Sequence, residues 1–234
     1  MDKEQNQFSE TAVCALCGER VKVKGLTRHL ASCREAHPAK QGKRERTIFT
    51  LKVCGRCEPG YFLYLEMTDN MTLDDLDGFL RGIWLECCGH LSQFIIGGEY
   101  YSASTEDDFD LSDFGMPENK DSNVELGKVL TKGLAFGYEY DFGSTTELSL
   151  KVVGMRQGRD APLKEPVVLA RNDPPEWVCT NCGKPAVRVD SMMGYGTSKD
   201  NVFCATCARK REKADECGFL NIANSPRSGV CAYE

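Results

Sequence analysis

Aromatic and β-branched residues concentrate in two short runs, Thr47–Val53 (TIFTLKV) and Tyr61–Met67 (YFLYLEM). The turn-forming CGRCEPG between them predicts a β-hairpin. The next stretch changes period. Leu73, Leu76, Leu80 and Ile83 recur at helical spacing, Phe79 and Trp84 widen that face, and Thr72 stands as an N-cap with Asp74 and Asp75 in the first turn. Further strands are predicted at Gln93–Ile96, Phe136–Phe142 and Glu147–Val153, with a short helix near Val124–Leu130. Strands first paired locally and then interrupted by helices point to an α+β fold, an antiparallel sheet with packed helices.

Polar and breaker residues divide the chain. Residues 1–12 read as a disordered lead-in, residues 13–34 as a small module, and residues 35–46 (EAHPAKQGKRER), with Pro38 and Gly42, as a basic linker. Residues 47–155 form the middle domain, within which Ser102 to Asn123 reads as an acidic excursion. Pro162, Pro166, Pro174 and Pro175 mark residues 156–176 as a stiff connector to a second small module at 177–216, and residues 217–234 form a tail. Gly97-Gly98 and Gly194-Tyr195-Gly196 read as turns, since neither has the spacing of a phosphate-binding loop.

Charge is segregated along the same divisions. Residues 18–46 carry nine basic and three acidic side chains, whereas residues 47–150 carry six and nineteen. The acidic centre argues against a phosphate-gripping middle domain, while Lys22, Lys24, Arg28, Lys43, Arg44 and Arg46 are candidate phosphate contacts. No apolar run approaches the ~20 residues needed to cross a bilayer. With an opening MDKEQNQFSE that lacks an apolar segment, this predicts a cytoplasmic protein without membrane partners.

The thirteen cysteines change the picture most. An odd number in closely spaced pairs fits metal binding in a reducing compartment better than a disulfide framework. Cys14, Cys17, His29 and Cys33 follow C-x2-C-x11-H-x3-C: a knuckle and hairpin supply the first pair, and a helix from about Lys24 to Arg34 would set His29 and Cys33 on one face above Leu26 and Leu30. Counting back from His29 places Lys22, Gly25 and Arg28 at the positions from which base-reading fingers reach the major groove. A glycine there cannot read a base, so a docking or phosphate-contacting finger is expected. Cys179, Cys182, Cys204 and Cys207 follow C-x2-C-x21-C-x2-C, the spacing of a zinc ribbon or treble clef, and four thiolates leave no position for a catalytic water. Two Zn²⁺ are therefore expected. A third site would assemble from Cys54, Cys57, Cys87, Cys88 and His90 if the hairpin turn meets the end of the long helix, with the fourth ligand to be chosen between Cys87 and Cys88. Cys217 and Cys231 are left over.

The middle of the chain resembles the plasmid pRiA4b ORF-3-like domain of bacterial and archaeal proteins. The resemblance is carried by FTLKV (Phe49–Val53), TLDDLDGFLRGIWLE (Thr72–Glu86), GHLSQFIIGGEYY (Gly89–Tyr101) and FGYEYDFGSTTELSLKV (Phe136–Val152). NSPRSGVCAY (Asn224–Tyr233) resembles the tails of relatives that carry zinc ribbons. The resemblance implies an α+β fold, and it implies no established activity. Relatives continue the YDFG stretch with an aspartate, a tryptophan and a histidine where this chain has Ser144, Thr146 and Leu148, leaving His90, Tyr138, Tyr140 and Asp141 as polar candidates.

These readings favour a non-enzymatic, zinc-stabilised adaptor whose modules dock a protein or nucleic acid. A mobile-element-associated DNA-binding factor using the finger and residues 20–46 is the alternative, and an enzyme using His90 and Asp141 is a third.

Overall fold

The computed structural model describes residues 7–103, 119–160, 163, 165–214 and 218–234. Most of the acidic excursion, the first six residues of the lead-in and Cys217 lie outside them. The fold is α+β. Its centre is an eight-stranded sheet in the order β10-β4-β3-β9-β8-β5-β6-β7. In chain order these strands are β3 (Gln41–Gly55), β4 (Phe62–Thr68), β5 (Ser92–Ile96), β6 (Glu99–Ser102), β7 (Asn119–Asp121), β8 (Ala135–Tyr140), β9 (Thr146–Asp160) and β10 (Val167–Arg171). Every pairing is antiparallel except β6 with β7.

The expected hairpin forms, with Ile48 opposite Thr68 and Cys54 opposite Phe62. Helix α2 (Leu73–Leu80) starts where Thr72 and Asp75 make a reciprocal capping box. It lays Leu73, Leu76 and Leu80, with Trp84 beyond, on one face of the sheet against Phe49, Leu51, Val53, Leu63, Leu65 and Phe94. Gly97 (φ 62°) and Gly98 (φ 87°) turn β5 into β6, both in the left-handed region that a two-residue hairpin loop requires.

Two expected linkers are in part strands. β3 begins at Gln41, inside the basic stretch, because its first half pairs with the far end of β9, from Gly158 opposite Arg46 onward. β10 lies inside the Pro-rich connector. Pro166 directly precedes it and Pro174 and Pro175 follow, so the prolines bound an edge strand and remove no ladder bond.

The N-terminal module is not an appendage. Its hairpin, β1 (Thr11–Val13) with β2 (Arg20–Lys22), and its helix α1 (Leu26–Ala36) cover the second face of the sheet at β4 and β10. Ala12, Leu26 and Leu30 pack with Phe62, Tyr64, Leu169 and Ala170. The Ala15 N–H donates to the Leu169 carbonyl (2.8 Å), and Thr27 Oγ1 bonds the Tyr64 hydroxyl (2.8 Å). Part of the lead-in is also placed, since Phe8 meets Tyr61 edge-on at 4.8 Å. All seven residues of β4 are therefore buried: Leu63, Leu65 and Met67 against α2, Phe62, Tyr64 and Glu66 against the module, and Thr68 at the strand's end.

Glu66 is the one carboxylate in that strand, and two guanidinium groups hold it. Arg34 of α1 pairs with it through Nε (3.0 Å) and Nη2, and Arg156 of β9 reaches its Oε1 at 3.1 Å. Removing one partner of such a buried set leaves uncompensated charge, which costs about 3–5 kcal/mol. Glu66→Ala is expected to lower stability by about 3 kcal/mol in chemical denaturation, and to expose α1 to proteolysis before the sheet unfolds. An unchanged midpoint would show that Leu26 and Leu30 hold the helix alone.

Candidate metal centres

Three groups of Cys and His side chains converge among the described residues. At a Zn–S distance of about 2.3 Å and a Zn–N distance of about 2.0 Å, a tetrahedral ion sets two sulfurs about 3.8 Å apart and a sulfur and an imidazole nitrogen about 3.5 Å apart. A disulfide would need about 2.05 Å. In the first group Cys14 and Cys33 sulfurs are 3.8 Å apart, and Cys17 Sγ is 3.5 Å from His29 Nε2. In the C-terminal group Cys182 Sγ lies 3.7 Å from the sulfurs of both Cys204 and Cys207. Both sets match the edges of a tetrahedron about a zinc-sized ion.

Local structure explains how they form. In the first knuckle the Gly18 N–H closes a turn onto the Cys14 carbonyl (2.8 Å), and α1 carries His29 and Cys33 on one side. The helix proper begins at Leu26, after a 3₁₀ turn at Val23–Gly25. Lys22 and Gly25, two of the three finger-type positions, thus precede it, while its neighbour Thr27 faces the sheet. In the C-terminal module a three-stranded sheet, β12-β11-β13 with β11 at Arg188–Asp190, β12 at Val202–Phe203 and β13 at Phe219–Asn221, stands beside α4 (Ala205–Glu212). Cys204 stands at the N-cap of α4, where the Cys207 N–H of the first turn aims at its sulfur and lowers its pKa.

Electrostatics shows what the sulfurs need. Burial pushes the Cys14 thiol up, but the N–H groups of Cys17 and Leu16 aim at it and bring it down to about 7. Cys179 is brought down to about 6 against the same burial effect by N–H groups of Cys204, Asn181 and Cys182. One sulfur in each set goes the other way. Cys33 is pushed up to about 12 by burial and by Cys17 and Cys14, and Cys207 to about 12 by Cys182 and Cys204. Full ionisation therefore calls for a cation among them.

The third expected site is corrected. Cys54 sits in β3 opposite Phe62 and Ser149 and is half-buried beside the N-terminal module's core, and Cys57 is exposed in the hairpin turn. Neither joins a cluster. Cys87, Cys88 and His90 instead meet Cys231 of the tail. Cys231 was passed over because its spacing relates it to no other ligand.

A polar network adjoins this group. After α2 a π-type turn at Arg81–Leu85 redirects the chain, with Glu86 N–H donating to the Arg81 carbonyl. Arg81 bonds Asp77 (2.6 Å), Glu86 (2.8 Å) and Ser92 (2.7 Å). Tyr138 donates to Asp77 (2.7 Å) and Tyr140 to Glu86 (3.1 Å). Asp141, at φ 65°, accepts N–H bonds from Gly143 and Ser144 and a 2.6 Å bond from Nη2 of Arg227. Burial raises its pKa, but those three donors hold it down at about 2. Arg227 is fully buried, also donates to the Ser144 carbonyl and Thr146 Oγ1 (both 3.0 Å), and stacks 4.8 Å from the Tyr140 ring. The polar candidates His90, Tyr138, Tyr140 and Asp141 thus converge, and the partner that organises them, Arg227, went unrecognised in a short tail with no periodic pattern.

Of the basic candidates, Lys22, Lys24, Arg28, Lys43 and Arg44 are exposed. Arg46 is half-buried, and its Nη1 pairs with Asp69 at 3.3 Å.

The family model described as plasmid pRiA4b ORF-3-like protein matches residues 58–183, which spans β4 through the first C-terminal knuckle. The chain belongs to the plasmid pRiA4b ORF-3-like family. A search of curated proteins finds none that matches it. Among solved structures it is similar to a crystal structure of a protein of unknown function from Methanosarcina mazei, at 18% identity over 54% of this chain and 70% of that one, with a TM-score of 0.44. Within this family member the match takes in β10 and the first C-terminal knuckle but not the N-terminal module or the tail.

Asp141→Ala would strand a fully buried guanidinium, at a cost of about 3–5 kcal/mol. Replacing both partners, Asp141→Leu with Arg227→Met, is expected to recover more than half of that loss in urea denaturation. A double variant as unstable as the single one would show that the pair matters for its remaining hydrogen bonds and not for its charge.

Proposed function

We propose that zinc occupies the N- and C-terminal clusters and that the chain is a non-enzymatic binding protein presenting those modules to a partner. The observation that carries this reading is the use made of the end-cluster ligands and of Asp141, Tyr138 and Tyr140. Each end cluster has four protein ligands, which leaves no coordination position for substrate or water. Asp141 is saturated by Arg227 and two N–H groups, and the hydroxyls of Tyr138 and Tyr140 are held by Asp77 and Glu86. A general acid or base needs a free proton site facing a substrate, and these groups face one another. Tyr195 and Met192, 85% and 74% exposed on consecutive turns of the C-terminal module, favour contact with a protein.

A second reading, nucleic-acid binding, is supported by the exposed Lys22, Lys24, Arg28, Lys43 and Arg44. Titration of labelled duplex and single-stranded DNA over a salt series separates the two. Any DNA binding is expected to weaken steeply with salt, to ignore sequence, and to fall equally for all sequences in Lys43→Ala/Arg44→Ala, because those side chains reach phosphates alone. If one duplex competes about tenfold better than scrambled DNA, roughly 1.4 kcal/mol, the finger reads bases and the second reading replaces the first. Binding to no nucleic acid leaves a protein as the partner.

A further inference from the structure

The tail does more than fill a surface groove. Asn224 accepts a bond from Asn172 Nδ2 at its Oδ1 (2.7 Å) and donates through Nδ2 to the Asn172 carbonyl (3.2 Å), Ser225 Oγ donates to the Trp84 carbonyl (2.5 Å), and the Thr197 hydroxyl of the C-terminal module donates to the Ser228 carbonyl (2.9 Å). Ser225, Arg227 and Ser228 are almost wholly buried. Gly229, at φ 80°, passes so close to Val189 that a Cβ would lie 2.9 Å from its Cγ2. The tail is thus clamped between the large sheet and the C-terminal module, and immediately beyond the clamp Cys231 turns back toward the end of α2.

There its sulfur lies 3.7 Å from Cys88 Sγ and 3.7 Å from His90 Nε2, while Cys87 and Cys88 sulfurs are 3.6 Å apart and Cys88 Sγ is 3.0 Å from His90 Nε2. The sulfur–sulfur separations are too long for a disulfide, and they and the Cys231–His90 distance are close to the edges of a zinc tetrahedron, while Cys88 and His90 stand about 0.5 Å nearer than such an edge. The donors are three sulfurs and one imidazole, a set that selects zinc over calcium or magnesium. Three chain segments reach the site by different routes: the π-type turn delivers Cys87 and Cys88, the start of β5 delivers His90, and the clamped tail delivers Cys231. Its surroundings are ordered as an outer shell would be. Arg227 Nη2 lies 3.6 Å from Cys87 Sγ and is itself held by Asp141, so a buried donor is aimed at one of the sulfurs.

We infer that Cys87, Cys88, His90 and Cys231 bind a third Zn²⁺ that latches the C-terminal tail to the body. The ion joins a segment at the end of α2 to one more than a hundred residues away, and it fixes Arg227 over Asp141. This inference stands whether or not the end clusters serve a docking role.

The test is zinc content and chelator competition on the full chain and on Cys231→Ser, with Cys57→Ser as a control cysteine outside every cluster. The full chain and Cys57→Ser are expected to hold three equivalents. Cys231→Ser is expected to hold two, or to yield its third to chelator at least ~100-fold more readily, the upper range for disturbing a metal site's supporting shell. Backbone hydrogen exchange at Arg227, Ser228 and Val230 is expected to quicken at least ~10-fold in that variant, while the amides of β3 and β9 stay protected. Should Cys231→Ser fold poorly, the cobalt-substituted wild-type chain decides: ten thiolates are expected from three sites, against seven from two, in the sulfur-to-metal charge-transfer band. Two equivalents in the full chain, a third equivalent held equally well by Cys231→Ser, or a band from seven thiolates would overturn the third site. Unchanged exchange in the tail would overturn the latch. Cys14→Ser and Cys179→Ser report on the end clusters separately, so loss of those sites is distinguishable from loss of this one.

Discussion

The burial of strand β4 on both faces constrains the rest of the molecule. A strand with apolar side chains on both sides is stable only inside three layers, and here the layers are α2, the sheet and the N-terminal metal module. Helix α2 packs on one face of the sheet, so the cover for the other must be supplied from elsewhere in the chain. The module that supplies it fully buries only three aliphatic side chains of its own, Ala12, Leu26 and Leu30, with Leu16, Val21 and Val23 partly covered, too few for an independent core. Its three cysteines and His29 converge on one point, the sheet gives it a surface to cover, and Glu66 fixes its angle through Arg34.

The same division of labour recurs at the other end. The C-terminal module has two small apolar clusters, one around Phe203 and Ala208 and one around Trp177, Val189 and Val202. Its remaining order comes from cysteines and from the tail, which bonds to it at Thr197, to Trp84 of the π-type turn and to Asn172 just beyond β10. The buried Arg227 and Asp141 complete this seam. An ion pair so placed adds little net stability over apolar residues of the same shape. What it adds is selectivity, because this arrangement of the tail meets the two Nη groups of a buried guanidinium with a carboxylate, a carbonyl and a hydroxyl.

Elements with a local signature were legible in the sequence. Helix α2 was marked by Thr72 and its leucine spacing, the β3–β4 hairpin by aromatic and β-branched runs, and the two end clusters by cysteine pairs whose spacing is itself the geometry. What lay hidden was long-range. The burial of both faces of YFLYLEM is visible only as a continuous apolar run, which does not say what covers the second face. The prolines around β10 looked like a connector because an edge strand tolerates the same residues as a linker. Cys231 was hardest, since its three partners are distant in the chain and its neighbours have no period.

The three clusters differ in the length of chain that each must close. Cys14 and Cys33 are 19 residues apart, whereas Cys88 and Cys231 are 143 apart. The entropy of loop closure rises with the logarithm of length, so bringing the second pair together from an open chain costs about 2 kcal/mol more than the first. The N-terminal set can gather around an ion as soon as its own segment exists. The set containing Cys231 has its ligands positioned only by structure that has already formed: the sheet, α2 and the clamped tail. Its order of assembly is therefore built into the chain, with folding preceding coordination at one site and coordination able to precede folding at the other.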